Sequence, residues 1–355
     1  MRNSRRLIDQ VCAGEKPERT PIFDLLCNDA VVAHYAGEPL NGDNDMTKML
    51  AAAGRALDGT RSIFPPMVPG TTWTDGMGNI REAARWTSWI RHHALADADA
   101  WAAWIAGHIE RLEATPTPSE AEREKTGEEQ QAYNANLNGT VNIFCTPSTG
   151  INTALFGYCG LEIFSYLWED EREMVLRWMR ALERERRHEV IRTAHAIHSP
   201  LAMIYSDVAY KQHLMFSKET FNEFGFFDDV ADICAQCHEY GMTVIFHSDG
   251  YIMDIVDDLV ACGIDGLNPI EKAAGMDVYE LHRKYPDLII VGGLDVTHLL
   301  PFGTPDEVRA ETRRMIDEIG VDGKLLIGSS TEMEDNVPLE NYLAFHDEVM
   351  TRSTK

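Results

Sequence analysis

The chain has 355 residues, 44% hydrophobic and 25% charged, enough to bury a substantial core in one or two globular domains and too apolar for a disordered chain. Its 57 Asp and Glu against 32 Lys and Arg give a net charge of −25, which repels a phosphate backbone and argues against nucleic acid as a partner. No stretch approaches the roughly 20 apolar residues of a membrane-spanning helix, so no membrane partner is expected, and the opening MRNSRRLIDQVCAGEKPE has no apolar run of signal-sequence length. The seven cysteines are odd in number and mostly embedded in apolar segments, as for reduced thiols of a cytoplasmic protein.

In chain order, the first 140 residues predict an opening helix, a short strand over Pro21 to Leu26 and further helical or irregular structure. Trp86, Trp89, Trp101 and Trp104 fall at helical spacing and are expected to anchor packing, not to cage a ligand. Residues 115–131, TPTPSEAEREKTGEEQQ, have little to bury and predict a surface loop or exposed helix within one domain spanning 1–355. Beyond them come short apolar runs at Val141 to Cys145, Leu201 to Tyr205, Thr243 to Phe246, Ile264 to Leu267, Leu288 to Val291 and Lys324 to Ile327. Helical stretches lie between, at Glu169 to His195, Lys218 to Tyr240, Ile252 to Cys262, Met276 to Tyr285 and Pro305 to Ile319. Alternating strands and helices of this number predict an α/β fold of the (β/α)8 barrel type with an N-terminal helical extension.

Barrel enzymes carry their chemistry just after the carboxyl ends of the strands. There the sequence places Ser206-Asp207, His247-Ser248-Asp249-Gly250, Asn268-Pro269-Ile270-Glu271, Gly292-Gly293-Leu294-Asp295 and Gly328-Ser329-Ser330-Thr331-Glu332. Each alone reads equally well as a helix cap or rim hydrogen bond; together they favour a site. His247 is the strongest candidate, as a metal ligand or a general acid or base, and Asp249 either orients it, binds a metal or caps the following helix. Two such residues do not complete a zinc site, so Glu332 or Glu271 has to supply more. Cys234-Ala-Gln-Cys237, followed by His238, lies in a helical pattern and reads as buried packing, and Gly292-Gly293 reads as a tight rim turn.

The runs YSDVAYKQHLMFSKETFNEF, VIFHSDGYIMDIVDDLVACGIDGLNPIEKAAGMD, LIIVGGLDVTHLLPFGTPDEV and LLIGSSTEMEDNVPLENYLAF resemble the uroporphyrinogen decarboxylase superfamily, well over about 141–350 and weakly before that. The resemblance implies a distorted (β/α)8 barrel and either a decarboxylase or a methyltransferase that exchanges methyl groups with the cobalt of a separate corrinoid protein. True decarboxylases grip a polycarboxylate with an arginine-rich N-terminal loop; CNDAVVAHYAGEPLNGDND, after the first predicted strand, has no arginine and four acids.

In zinc methyltransferases of the superfamily, a His-x-Cys element and a later Cys bind the metal. His247-Ser248-Asp249 resembles the first with Asp for Cys, and Ser330-Thr331-Glu332 stands where the later Cys is expected. Oxygen ligands suit a hard leaving group such as a phenolate oxygen. The resemblance thus implies methyl transfer from a methoxylated aromatic or similar small donor to a Co(I) corrinoid on a partner protein. His247, Asp249 and Glu332 are the expected zinc ligands, Asp207 and Glu271 act in catalysis beside His247 and Asp249, and Asn268, Ser329 and Ser330 line the substrate pocket. A decarboxylase of a smaller acid using Asp207, and a non-catalytic tetrapyrrole- or corrinoid-binding barrel, are the alternatives; homodimer formation is left open.

Overall fold

The apolar runs become strands because each is short, rich in Val, Ile and Leu, and ended by glycine or a polar residue. A computed structural model describes residues 3–197 and 199–352. Its strands are β1 (Leu26–Cys27), β2 (Gly59–Thr60), β3 (Thr72–Thr74), β4 (Ile80–Ala83), β5 (Ser88–His92), β6 (Val141–Asn142), β7 (Phe144–Thr146), β8 (Leu201–Tyr205), β9 (Ala209–Tyr210), β10 (His213–Leu214), β11 (Thr243–His247), β12 (Gly266–Asn268), β13 (Ile289–Leu294), β14 (Leu325–Ser329) and β15 (Met333–Glu334).

Six strands form one parallel sheet in the order β14-β13-β12-β11-β8-β7. The ring closes through shorter pieces. Ile22 bridges Ile327 of β14, Phe23 bridges Gly59 of β2, and β2 pairs in parallel with β6, which runs on into β7. Backbone bonds from Phe23 N to Ile327 O (2.9 Å), Asp24 N to Gly59 O (3.2 Å) and Ile143 N to Thr60 O (2.8 Å) seal these junctions. The result is the closed parallel (β/α)8 barrel that the sequence predicts.

Side chains alternate across each strand. Phe23, Ile143, Leu201, Met203, Tyr205, Ile245, Ile289, Val291 and Leu326 pack in the lumen with Ile8 and Val11 of the first helix, whereas Ala202, Ile204, Val244, Phe246 and Ile290 pack with the outer helices. His247 continues the inward series of Ile245, so strand parity aims its ring into the C-terminal mouth.

Several expectations are corrected. The predicted strand over Pro21 to Leu26 shrinks to the two bridging residues, while Leu26 and Cys27 pair with β15. Trp101 and Trp104 share the helix Ala98–Ala114, but Trp86 and Trp89 belong to an antiparallel meander, β3-β4-β5, and Trp89 is 51% exposed. The local spacing of the tryptophans is compatible with a helix, but turns at Asp75–Gly78 and Ala84–Thr87 fold the segment back on itself. Residues 120–135 form an exposed helix with a capping box between Ser119 and Glu122. Gly292 and Gly293 lie inside β13 at φ 87° and 101°, not in a rim turn; they pair with Ile327 and Gly328 of β14, and a side chain on Gly292 would strike the Ser329 carbonyl.

Candidate active site

The βα connections deliver polar groups to the barrel mouth, around a cavity of about 540 Å³ lined by Arg61, Tyr205, Asp207, Tyr210, Lys211, His247, Asp249, Glu271, Ser330, Glu332 and Glu334 among others. A larger groove of about 700 Å³ lies on the barrel flank, where Arg187 pairs with Asp232 and buried Arg186 with Asp229. Among the described residues the group of side chains able to hold a metal lies at the mouth and not in this groove, so the convergent chemistry is at the mouth.

Register explains the centre of the site. His247 stands opposite Tyr205 on one neighbouring strand and Asn268 on the other. Asn268 donates through Nδ2 to the Val291 carbonyl at 2.9 Å, which turns its Oδ1 toward His247 Nδ1, 2.6 Å away. The amide orientation therefore places the imidazole proton on Nδ1 and leaves the Nε2 lone pair free. Burial, followed by the charge of Arg61, drives the His247 pKa down to about 3, so the ring is neutral. Its Nε2 lies 3.9 Å from Asp207 Oδ1, a contact between a neutral ring and a carboxylate.

The following loop is tied down bond by bond. Asp249 N donates to Asp207 Oδ1 (3.1 Å), Gly250 N to Glu271 Oε2 (2.8 Å) and Val208 N to Ser248 Oγ (3.1 Å). Burial, then the charges of Asp207 and Glu271, pushes Asp249 up to about 7, and Asp207 is likewise raised by burial. Asp249 Oδ1 is buried with no hydrogen-bond partner.

Asp207, His247 and Asp249 each offer a ligand atom, all within 4.8 Å of one another. The orphaned carboxylate oxygen, the free imidazole nitrogen and the second carboxylate fit a divalent cation, and the one-nitrogen, two-oxygen donor set is compatible with zinc. Charge agrees: the lining holds five carboxylates against Arg61 and Lys211, an imbalance that a dication reduces.

Three expected roles shift. Glu332 stands outside this group, because Arg61 takes its carboxylate in an ion pair. Asn268 is buried behind His247 and outside the cavity lining. Ser329 is turned to buried Asp24, its Oγ donating to Asp24 Oδ1 at 2.8 Å, while Ser330 does line the cavity. Cys234 and Cys237 are buried free thiols in the helix Phe226–Glu239, as the packing reading expects, and His238 turns to Asp265.

Sequence reasoning missed Arg61 and Tyr205. Arg61 donates to the Tyr205 hydroxyl at 2.7 Å, and the Tyr205 ring lies 4.3 Å from that of His247. The inward parity of β8 would have found Tyr205; Arg61 follows a two-residue strand with no pattern to mark it.

Residues 202–352 match the family model described as "Uroporphyrinogen decarboxylase (URO-D)". The whole fold is similar to that of a methyltransferase from Methanosarcina mazei, at 15% identity over 98% of both chains with a TM-score of 0.67. A uronate isomerase from Bacillus halodurans overlaps at 8% identity over 99% of this chain and 87% of its own, with a TM-score of 0.33, too low to carry an argument. No curated protein matches the chain.

Proposed function

We propose that the protein is a methyltransferase that moves a methyl group from a small methoxylated aromatic donor to the Co(I) corrinoid of a separate protein. The observation that carries this reading is the neutral His247, its Nε2 free beside Asp207 and the unpartnered Asp249 oxygen, at the floor of an open cavity.

An aryl methyl ether gives up its methyl group only if charge developing on its oxygen is stabilised. His247, Asp207 and Asp249 would hold a divalent cation, which when bound supplies Lewis-acid stabilisation to that oxygen. Asn268 keeps the His247 lone pair aimed, Glu271 holds the loop through Gly250, and Arg61 keeps Glu332 away from the ligand group. The methyl–oxygen bond breaks with its electron pair on oxygen, the Co(I) electron pair forms the new bond to carbon, and the aryloxide takes a proton from water at the mouth. The scarcity of uncommitted cations disfavours a polycarboxylate porphyrinogen as substrate.

Mixing the protein, zinc, cob(I)alamin and a methoxybenzoate without oxygen tests the reading. Methylcobalamin should form with wild type and not with His247→Ala; equal rates in the two would overturn the assignment.

A further inference from the structure

The site described so far explains how a leaving oxygen is activated and says nothing of what holds the rest of the donor. We propose that Lys211, with the ring of Tyr210 beside it, binds a carboxylate carried on the donor's aromatic ring, so that the enzyme selects methoxylated aromatic acids over their neutral counterparts. This rests on the methyltransferase reading and adds the substrate class.

Five carboxylates line the cavity, yet no carboxylate lies within ion-pair distance of the Lys211 ammonium among the described residues, whereas the cavity's other cation, Arg61, is taken by Glu332 and Tyr205. The near neighbour of the Lys211 ammonium is the Tyr210 ring, 5.8 Å from its centroid, and Tyr210 is 68% exposed. An exposed ring and an uncommitted ammonium on one wall match a flat, anionic molecule: the ring offers a stacking face and the ammonium charge-assisted hydrogen bonds.

Lys211 is also held in place. It turns the β9-β10 hairpin at φ 49°, a left-handed conformation that lysine does not favour. Its carbonyl accepts from Tyr251 N at 2.6 Å, and Gly250, at φ 88°, is so close to Ala209 that a Cβ there would come within 2.8 Å of the Ala209 Cβ. The hairpin is thus seated on the loop that carries Asp249. The strain is paid where it fixes Lys211 relative to the ligand group, giving a donor two points of attachment: ether oxygen at the floor, carboxylate at the hairpin.

The test is calorimetric binding of 3-methoxybenzoate and the neutral 3-methoxybenzyl alcohol to zinc-loaded wild type, Lys211→Gln and Lys211→Arg, with circular dichroism to check folding. Wild type should bind the acid about tenfold or more tightly than the alcohol. Lys211→Gln should bring the two to parity by weakening the acid alone, and Lys211→Arg should retain most of the preference. Equal affinities in wild type, no binding of the acid, or an acid preference that survives Lys211→Gln would each overturn the proposal. Methylation of cob(I)alamin, followed separately, reports on the reaction: its absence alongside a Lys211-dependent preference would reject the methyltransferase reading and leave the carboxylate site standing.

Discussion

Asn268 touches no substrate in this account, yet its removal should be costly to the metal site. Its Oδ1 is the acceptor that keeps the imidazole proton on Nδ1, and its Nδ2 bond to Val291 O keeps that oxygen turned the right way. In Asn268→Ala the ring loses its 2.6 Å partner and is free to rotate or to carry its proton on Nε2, where it no longer offers a lone pair to Asp207 and Asp249. Loss of the group that orients a ligating histidine costs about 10- to 100-fold in metal affinity, or about 1.4–2.8 kcal/mol. The stranded Val291 carbonyl adds a folding cost of about 1–3 kcal/mol. Asn268→Asp keeps an acceptor for Nδ1 and should recover most of the zinc affinity while still losing the bond to Val291. Competition with a chromophoric chelator measures zinc affinity, and thermal unfolding measures stability. Zinc binding by a folded Asn268→Ala protein at wild-type affinity would refute the reasoning.

Further outcomes follow from the same geometry. Asp207→Ala should weaken zinc binding by more than Glu332→Ala, because Arg61 holds Glu332 outside the ligand group; the reverse order in the chelator assay would restore Glu332 as a ligand. Zinc affinity should fall as pH drops below about 7, where Asp249 takes up a proton, with no contribution from His247, whose pKa lies near 3. Arg61→Gln removes a charge that lowers the Asp249 pKa and should move this fall to higher pH; an unmoved profile would remove Arg61 from the electrostatics. The folded-state pKa of Asp249 is raised, so its charged form penalises the metal-free fold fully above about pH 7, and the penalty fades as pH falls toward the unfolded value. Asp249→Asn should therefore stabilise the metal-free protein at pH 8, by about 1–2 kcal/mol after allowance for solvent at the mouth, with the gain shrinking toward pH 5 in chemical denaturation. Gly250→Ala should destabilise by about 1–3 kcal/mol, since it combines an unfavourable φ of 88° with a clash at Ala209; an unchanged midpoint would show that the hairpin yields easily.

The barrel was legible where strands are long enough to show their period. The apolar runs ending before Asp207, His247, Asn268, Gly292 and Ser329 all became neighbouring parallel strands. The first barrel strand was legible only as a longer run, Pro21 to Leu26, of which Ile22–Phe23 bridge to the neighbouring strands, and the second was not legible, because Gly59–Thr60 contribute two residues and make their bonds through the closing of the ring. Residues 72–92 carry an antiparallel meander whose tryptophans fall at helix-like intervals by chance of turn length. Within the site, position after a strand found His247, Asp249, Asp207 and Glu271, which all line the cavity. It could not tell which way a rim side chain turns. Ser329 faces Asp24, Asn268 faces the back of His247, and Glu332 faces Arg61, and each orientation depends on a partner from a distant part of the chain.

The central claim is that a methyl group leaves an ether oxygen for cobalt, and the fate of an isotopic label decides it. With 3-methoxybenzoate carrying 13C in its methyl group, the zinc-loaded protein and cob(I)alamin, NMR should show the label moving to a cobalt-bound methyl group as 3-hydroxybenzoate appears in equal amount. A label that stays in the ether while carbon dioxide is released would contradict the account and make the protein a decarboxylase.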